Sequence, residues 1–208
     1  MTITVHHLEN SRSQRILWML EELGLPYELV RYQRDKQTML APPELKRVHP
    51  LGKSPLIEDD GIVIAETGAI VEYLVDKAGG KLGAPAAREA AQRYRFWLHY
   101  AEGSLMPVLF TRLVLKRVPL LGGIATKRFQ PMIDVHLDYV ESVLQQSAWF
   151  AGDDLTAADI MMSFPVEAAR SRAGLDGSRP ATMAWLAKVH ARPAYQRALQ
   201  RGDPYAYA

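Results

Sequence analysis

Three short runs in this 208-residue chain carry side chains suited to chemistry. The first is Asn10-Ser11-Arg12-Ser13-Gln14-Arg15, where two hydroxyls two residues apart open an apolar helical run. A hydroxyl donor and a helix N-terminus both favour an anion placed beside them. The spacing Ser11-x-x-Gln14 fits a capping box equally well, which satisfies orphan backbone donors and needs no ligand. On the residues alone both readings stand. The second run, Lys53-Ser54-Pro55, precedes a strand pattern. The third, Glu66-Thr67, opens another helical pattern. Free N–H groups and a hydroxyl there suit a carboxylate, and the acid suits an ammonium, the two ends of an amino-acid headgroup. The ligand-free alternative is again capping, with the acid favoured by the helix dipole.

The composition narrows the chemistry. The chain has no cysteine. Disulfides, thiolate-bound metals and a protein thiol nucleophile are therefore excluded. Any thiol chemistry must use a thiol that arrives on a substrate. The six histidines are scattered without ligand spacing, so no metal is implied. Basic residues stand singly or in pairs such as Lys46-Arg47, Lys116-Arg117 and Lys127-Arg128, and the net charge is only +2. This pattern does not argue for nucleic acid. No apolar run approaches the roughly 20 residues that span a bilayer. The N-terminus lacks a basic segment followed by a long apolar one. The expectation is a cytoplasmic protein with no membrane attachment.

The elements that must position these runs follow from periodicity. Ile3 to His7 reads as a strand. Ile16, Leu17, Met19, Leu20 and Leu23 recur at helical spacing, and Gly24 ends that helix. Pro26 to Tyr32 is a second strand, with a short helix around Pro43 to Arg47. Leu56-Ile57-Glu58 and Ile62-Val63-Ile64 flank Asp59-Asp60-Gly61, a hairpin turn signal. Thr67 to Lys77 is an amphipathic helix. A helix between the first two strands predicts a parallel pair, and the Asp-Gly turn an antiparallel one. Helical patterns then cover 87–117, 125–146, 156–172, 180–190 and 193–201. Pro107, Pro119, Pro131, Pro165 and Pro193 mark kinks, breaks or first turns. The predicted architecture is an α/β N-terminal domain over residues 1–79, a linker at 80–86, and an all-α helical domain over 87–208.

The ordered motifs resemble the glutathione transferase superfamily over nearly the whole chain. They are Leu8 to Trp18 with Glu21 to Glu28, then His49 to Ile57 with Ile64 to Ile70, then Leu155-Thr156-Ala157-Ala158-Asp159-Ile160. His49 stands where asparagine is usual, and Thr67 where serine is usual. The opening, with Tyr100 to Pro107, is similar to the bacterial and fungal branch related to the yeast Gtt-type enzymes.

The resemblance implies a thioredoxin-like N-terminal domain that binds glutathione, and a homodimer. It implies that Ser11, with Ser13 as alternative, donates a hydrogen bond to the glutathione sulfur. Asn10 would orient the thiol. Ser54-Pro55 would be a cis bond, with the Ser54 backbone binding the cysteinyl part. Lys53 would reach the glycine carboxylate, or stand as a solvated surface lysine. Thr67 would bind the γ-glutamyl carboxylate and Glu66 the γ-glutamyl ammonium. His7 lies near the catalytic hydroxyl of tyrosine-type classes but reads better as a strand-end histidine. Most second-half aromatics and methionines read as core, with Tyr100, Met106 and Phe110 proposed to wall an apolar electrophile pocket. Tyr205-Ala206-Tyr207 would close that pocket or trail as a tail.

The implied reaction is conjugation of the glutathione thiolate to electrophilic, mostly apolar small molecules, as in detoxification. Glutathione-dependent peroxidase or disulfide-bond reductase activity uses the same bound thiol. A glutathione-binding regulatory protein without chemistry is a further alternative, which Ser11, Pro55, Glu66 and Thr67 together argue against. Thr156-x-x-Asp159 is a capping box and is read as structural.

Overall fold

The computed structural model describes residues 2–202 and 205–208. The chain divides into two compact units. The first holds the residues up to Gly83 together with His190–Ala206 and Ala208, and the second holds Ala84–Val189 with Tyr207.

The first unit is built on a four-stranded sheet of order β2-β1-β3-β4. Its strands are β1 (Ile3–Leu8), β2 (Tyr27–Tyr32), β3 (Leu56–Asp59) and β4 (Ile62–Ala65). β1 and β2 are parallel, joined through α1 (Ser13–Leu23). β3 runs antiparallel to β1, and β4 antiparallel to β3. The β3–β4 hairpin closes on Asp60 and Gly61, both at positive φ (50° and 77°), as a two-residue type I′ turn demands. α1 buries Ile16, Leu17, Trp18 and Leu20 completely. Each aliphatic side chain so buried stabilises the fold by roughly 2 kcal/mol. Gly24 ends α1 at φ 69°, its N–H bonded to the Leu20 carbonyl. The four-residue α2 (Leu45–Val48) precedes the Lys53-Ser54-Pro55 run, and α3 (Thr67–Lys77) buries Ile70, Val71 and Leu74.

The last helix, α9 (Pro193–Gly202), belongs to this first unit. This departs from a helical domain spanning all of 87–208. The reason is the partner of its apolar stripe: α9 packs on α1, with Trp18 edge-on to Tyr195 at 5.5 Å. Arg192 also grips both oxygens of Glu22 at 2.5 and 2.9 Å.

The second unit contains α4 (Arg88–Tyr100), α5 (Met106–Lys116), α6 (Gly122–Leu144), α7 (Ala157–Arg172) and α8 (Pro180–His190). α4 and α5 form one helical run, interrupted by a π-helical segment at Ala101–Leu105. Pro107 supplies the cause, since its ring has no N–H and crowds the preceding turn. Trp97, Phe150 and Trp185 form the aromatic centre, with centroids 4.6 and 5.0 Å apart in sequence. The Thr156/Asp159 box begins α7 as expected. Asp159 accepts from the N–H groups of Phe150 and Thr156 and the Thr156 hydroxyl, each at 3.0 Å, and from the Trp185 indole at 3.3 Å. Burial pushes its carboxyl up to about 6 against those donors. Glu141 of α6 caps α8 by accepting from the N–H groups of Ala181 and Thr182 at 2.9 and 2.8 Å. No described helix is long and apolar enough to cross a membrane.

Candidate active site

The sheet register gathers the first unit's candidate residues at one end. His6 of β1 lies opposite Leu56 of β3, and Leu56 opposite Ala65 of β4. The end of β1, the start of β3 and the end of β4 therefore share one edge. The turns entering α1 and α3 and the Lys53-Ser54-Pro55 loop all open there.

Ser11 does not form the Ser11/Gln14 capping box. The N-cap position of α1 is Arg12, and it carries no side-chain cap. Both polar atoms of the buried Gln14 amide lack a partner, so Gln14 closes no box. Ser11 Oγ instead accepts the Ser13 N–H at 3.2 Å and lies 2.7 Å from Ser13 Oγ. Ser13 Oγ lies 2.9 Å from His7 Nδ1 and 3.2 Å from both the N–H and the carbonyl of Leu8. Ser13 is fully buried, and every direction around its hydroxyl is occupied by protein. Of the two serines, Ser11 has the less encumbered hydroxyl.

His7 lies at the end of β1, as the strand-end reading expects, and its Nδ1 is 2.9 Å from Ser13 Oγ of the candidate hydroxyl pair. Its Nε2 lies 2.8 Å from the Gly202 carbonyl at the end of α9. Burial holds its pKa down at about 4, with the nearby Arg31 guanidinium acting in the same direction, so the ring is neutral near pH 7. The separation of 195 positions between these partners hides the contact from any local pattern. Asn10 sits at φ 50°, and its side-chain oxygen accepts the Ala206 N–H at 2.7 Å. Arg34, which the sequence pattern did not mark, braces the turn by donating to the carbonyls of Glu9, Asn10 and Met39 at 3.2, 3.3 and 3.0 Å.

The Ser54–Pro55 bond is cis. Ser54 Oγ donates to the His6 carbonyl at 2.9 Å and accepts the Leu8 N–H at 3.3 Å. Leu8 N–H is thereby shared between Ser13 and Ser54, which ties the start of α1 to the cis-proline loop. Lys53 is exposed. Glu66 is exposed and sits at φ 71°, a left-handed conformation that a glutamate avoids. It is the N-cap position of α3 without a side-chain cap, so the capping alternative fails here as well. Thr67 beside it is buried. Strain of this kind concentrates where function over-determines the backbone.

In the second unit, Tyr100 opens on a cleft of about 480 Å³ lined also by Arg95, Phe96, His99 and Ser104. Its hydroxyl lies 2.5 Å from His136 Nδ1, and burial pushes its pKa up to about 12. Met106 is buried in the unit's core, and Phe110 stands 59% exposed. Neither lines that cleft. Tyr207 packs on Phe164 at 5.5 Å, under the Arg172 guanidinium.

A sheet of order 2-1-3-4 with a cis-proline loop, followed by a helical unit, defines a thioredoxin-like fold with a helical extension. The comparisons with known proteins agree. Residues 1–76 match the glutathione S-transferase N-terminal domain, and residues 124–193 the C-terminal domain. The chain is 37% identical to glutathione S-transferase 3 of Schizosaccharomyces pombe, covering 96% of this chain and 87% of that protein. It is 34% identical to glutathione S-transferase 1 of Saccharomyces cerevisiae, over 93% and 92%. It is 29% identical to the disulfide-bond oxidoreductase YfcG of Escherichia coli, over 97% of each. Among solved structures, a glutathione S-transferase from Actinobacillus pleuropneumoniae superposes with TM-score 0.88 at 34% identity, over 98% of this chain and 94% of that one. A glutathione transferase family member from Pseudomonas fluorescens, with two glutathione bound, superposes at 0.80 and 27%, over 95% and 92%. The chain belongs to the glutathione S-transferase family and is an enzyme of that class.

Proposed function

We propose that this enzyme binds reduced glutathione at the open end of its sheet and transfers it to electrophilic, mostly apolar small molecules. The observation that carries the reading is the ordered hydroxyl pair, Ser11 to Ser13 at 2.7 Å, tied through Leu8 to the cis-proline loop. A thiol has a pKa of about 8.5, and only the thiolate is a strong nucleophile. The Ser11 O–H, with the positive N-terminal end of the α1 dipole, stabilises the anion and enriches it at neutral pH. The thiol proton passes to solvent. The sulfur lone pair forms the carbon–sulfur bond, and the acceptor's leaving group departs with its bonding pair.

The same reading gives each neighbour a role. The Ser54 backbone, just before the cis-proline, pairs with the cysteinyl part of the peptide. The free N–H groups of α3 and the Thr67 hydroxyl take the γ-glutamyl carboxylate, and Glu66 its ammonium. Lys53 reaches the glycine carboxylate, and Asn10 orients the thiol. Tyr100 is the pocket candidate that opens on a cleft. The working form is a homodimer, the setting cytoplasmic and the role detoxification.

Turnover of a generic aryl halide with glutathione, in wild type and Ser11→Ala, tests the proposal. Loss of most turnover with retained glutathione binding supports it. A second reading has specific support: the likeness to YfcG favours glutathione-dependent disulfide reduction. Lacking cysteine, the chain would form no mixed disulfide of its own, and glutathione would supply every sulfur except the substrate's. Reduction of a disulfide or peroxide with no aryl halide turnover selects this reading. Saturable glutathione binding with no turnover of any of the three would make the protein a binding protein.

A further inference from the structure

The turn between α5 and α6 exposes aliphatic surface that its own unit leaves uncovered. Leu120 is 101% exposed, Leu121 61% and Ile124 60%. Val114 and Val118 extend the patch along the end of α5. Isolated exposed aliphatics need no explanation, but five exposed aliphatics within residues 114–124, around one turn, point to an interaction site.

The turn is closely knit. Leu121 N–H bonds to the Pro119 carbonyl at 2.7 Å, and Gly122 N–H to that of Val118 at 2.9 Å. A Cβ on Gly122 would lie 2.8 and 2.9 Å from the carbonyl oxygens of Lys116 and Leu115, so only glycine fits. Leu120 is held at φ 63°, a region leucine avoids.

Charge supplies the second, independent observation. No Asp or Glu occurs between Glu102 and Asp134, while Arg112, Lys116, Arg117, Lys127 and Arg128 fall in that interval. Lys116 and Arg117 lie on one side of the tip and Lys127 and Arg128 on the other, all four exposed. The aliphatic tip and the flanking cations, with no acid in their own stretch of sequence, together match an anionic lipid surface. The aliphatics enter the boundary between headgroups and acyl chains, and the cations meet the headgroups. A nucleic acid would have no use for the aliphatic centre.

We propose that the α5–α6 tip docks this enzyme peripherally on anionic membranes, with Val118, Leu120, Leu121 and Ile124 inserted and Lys116, Arg117, Lys127 and Arg128 at the headgroups. Docking of this kind needs no spanning segment and stands apart from the glutathione chemistry.

The test is flotation of the full chain with phosphatidylcholine vesicles, with and without phosphatidylserine, at low and high salt. The wild type should float with the anionic vesicles alone, less so at high salt. Leu120→Asp with Leu121→Asp should abolish flotation. Lys127→Glu with Arg128→Glu should weaken it by more than about tenfold, given about fivefold per cation. These positions are exposed, so unchanged thermal melts confirm the fold. Failure of the wild type to float with anionic vesicles, or undiminished flotation of the double-aspartate variant, overturns the proposal. So does sedimentation showing that the same variant separates a dimer into monomers, which would make the patch a contact between copies. Equal loss of soluble polyglutamate binding by that variant would assign the tip to an acidic protein and also overturn it.

Discussion

The Nε2–H of His7 donates to the carbonyl oxygen of Gly202 across 2.8 Å. A carbonyl oxygen only accepts, so the proton of the neutral ring is on Nε2 and Nδ1 is left as an acceptor. Ser13 Oγ then faces two acceptors, His7 Nδ1 at 2.9 Å and the Leu8 carbonyl at 3.2 Å, which claim its single proton. Toward Ser11 its oxygen can only accept, so in the 2.7 Å Ser11–Ser13 contact Ser11 is the donor. The end of α9 thus sets the direction of a hydrogen-bond chain that ends at Ser11, and because Ser11 has a single O–H, donation to a bound thiolate requires that proton to turn from Ser13 to the sulfur. His7 itself is no general base for the thiol: a base of pKa about 4 is far too weak for an acid of about 8.5.

Ser11 and Ser13 should therefore behave differently when truncated. Ser11→Ala removes a donor to an anion, about 1.5–3 kcal/mol, and should lower kcat/KM by roughly 10- to 150-fold. It should also raise the pKa of bound glutathione by about one to two. Ser13→Ala should have a smaller effect on that pKa and a larger one on thermal stability, because its hydroxyl bridges His7 and Leu8. Ultraviolet titration of the bound thiolate separates them. A bound-thiol pKa that moves only in Ser13→Ala would transfer the donor role to Ser13.

His7 also predicts a pH dependence of stability. Its pKa falls from 6.5 in the unfolded chain to about 4 in the folded one, mainly through burial, with the Gly202 carbonyl opposing, Arg31 lowering it further and Glu9 opposing more weakly. Between these values the unfolded state binds more protons, so stability rises with pH across the window. The contribution is full above about 6.5 and lost as pH falls toward 4. The depression corresponds to about 3 kcal/mol. Wild type should lose about that much more than His7→Asn between pH 7 and pH 4, by urea unfolding. The loss shared by both belongs to carboxyls held below their usual range, Glu22 and Glu141 among them: burial pushes each up, and Arg192 and the α8 N–H groups outweigh it. Parallel curves for wild type and variant would remove the role of His7.

What the sequence could show depended on how far apart the cooperating residues lie. The Asp60-Gly61 turn, the Gly24 helix end and the Thr156/Asp159 box are settled within a few residues, and each is found where the pattern puts it. The 193–201 helix was equally legible as a helix, but its packing on α1 is decided by Tyr195 and Arg192 meeting Trp18 and Glu22, about 170 residues away. The capping readings of Ser11 and Glu66 failed because the first is held by Ser13 and the second is bent to positive φ by its turn. Neither leaves a trace in local spacing. Met106 shows the limit of the resemblance, which names the helix without saying which of its side chains face the core.

Glu66 offers a test that separates binding from folding. At φ 71° a side chain is strained, and glycine is not. Glu66→Gly should hold thermal stability or raise it by up to about 1 kcal/mol. It should also raise KM for glutathione by roughly tenfold or more, because the ammonium loses its carboxylate. Glu66→Gln, which keeps the strain and removes the charge, should raise KM without the gain in stability. Unchanged KM in both variants would leave the strained backbone without the proposed role.

Asp159 should show the opposite separation. Its carboxylate satisfies two backbone N–H groups, one hydroxyl and one indole N–H inside the second unit. Asp159→Ala strands those buried donors, at a cost on the order of 3 kcal/mol. For a chain of this length that corresponds to a fall in Tm of roughly 10 °C. Glutathione binding is proposed to reside in the first unit, so Kd for glutathione measured well below the new Tm should stay within about twofold of wild type. Calorimetric melts and glutathione titrations on one preparation check both halves. A large rise in Kd at full foldedness would mean that the α7 cap supports the glutathione site directly, through contacts that its hydrogen bonds to Phe150, Thr156 and Trp185 give no reason to expect.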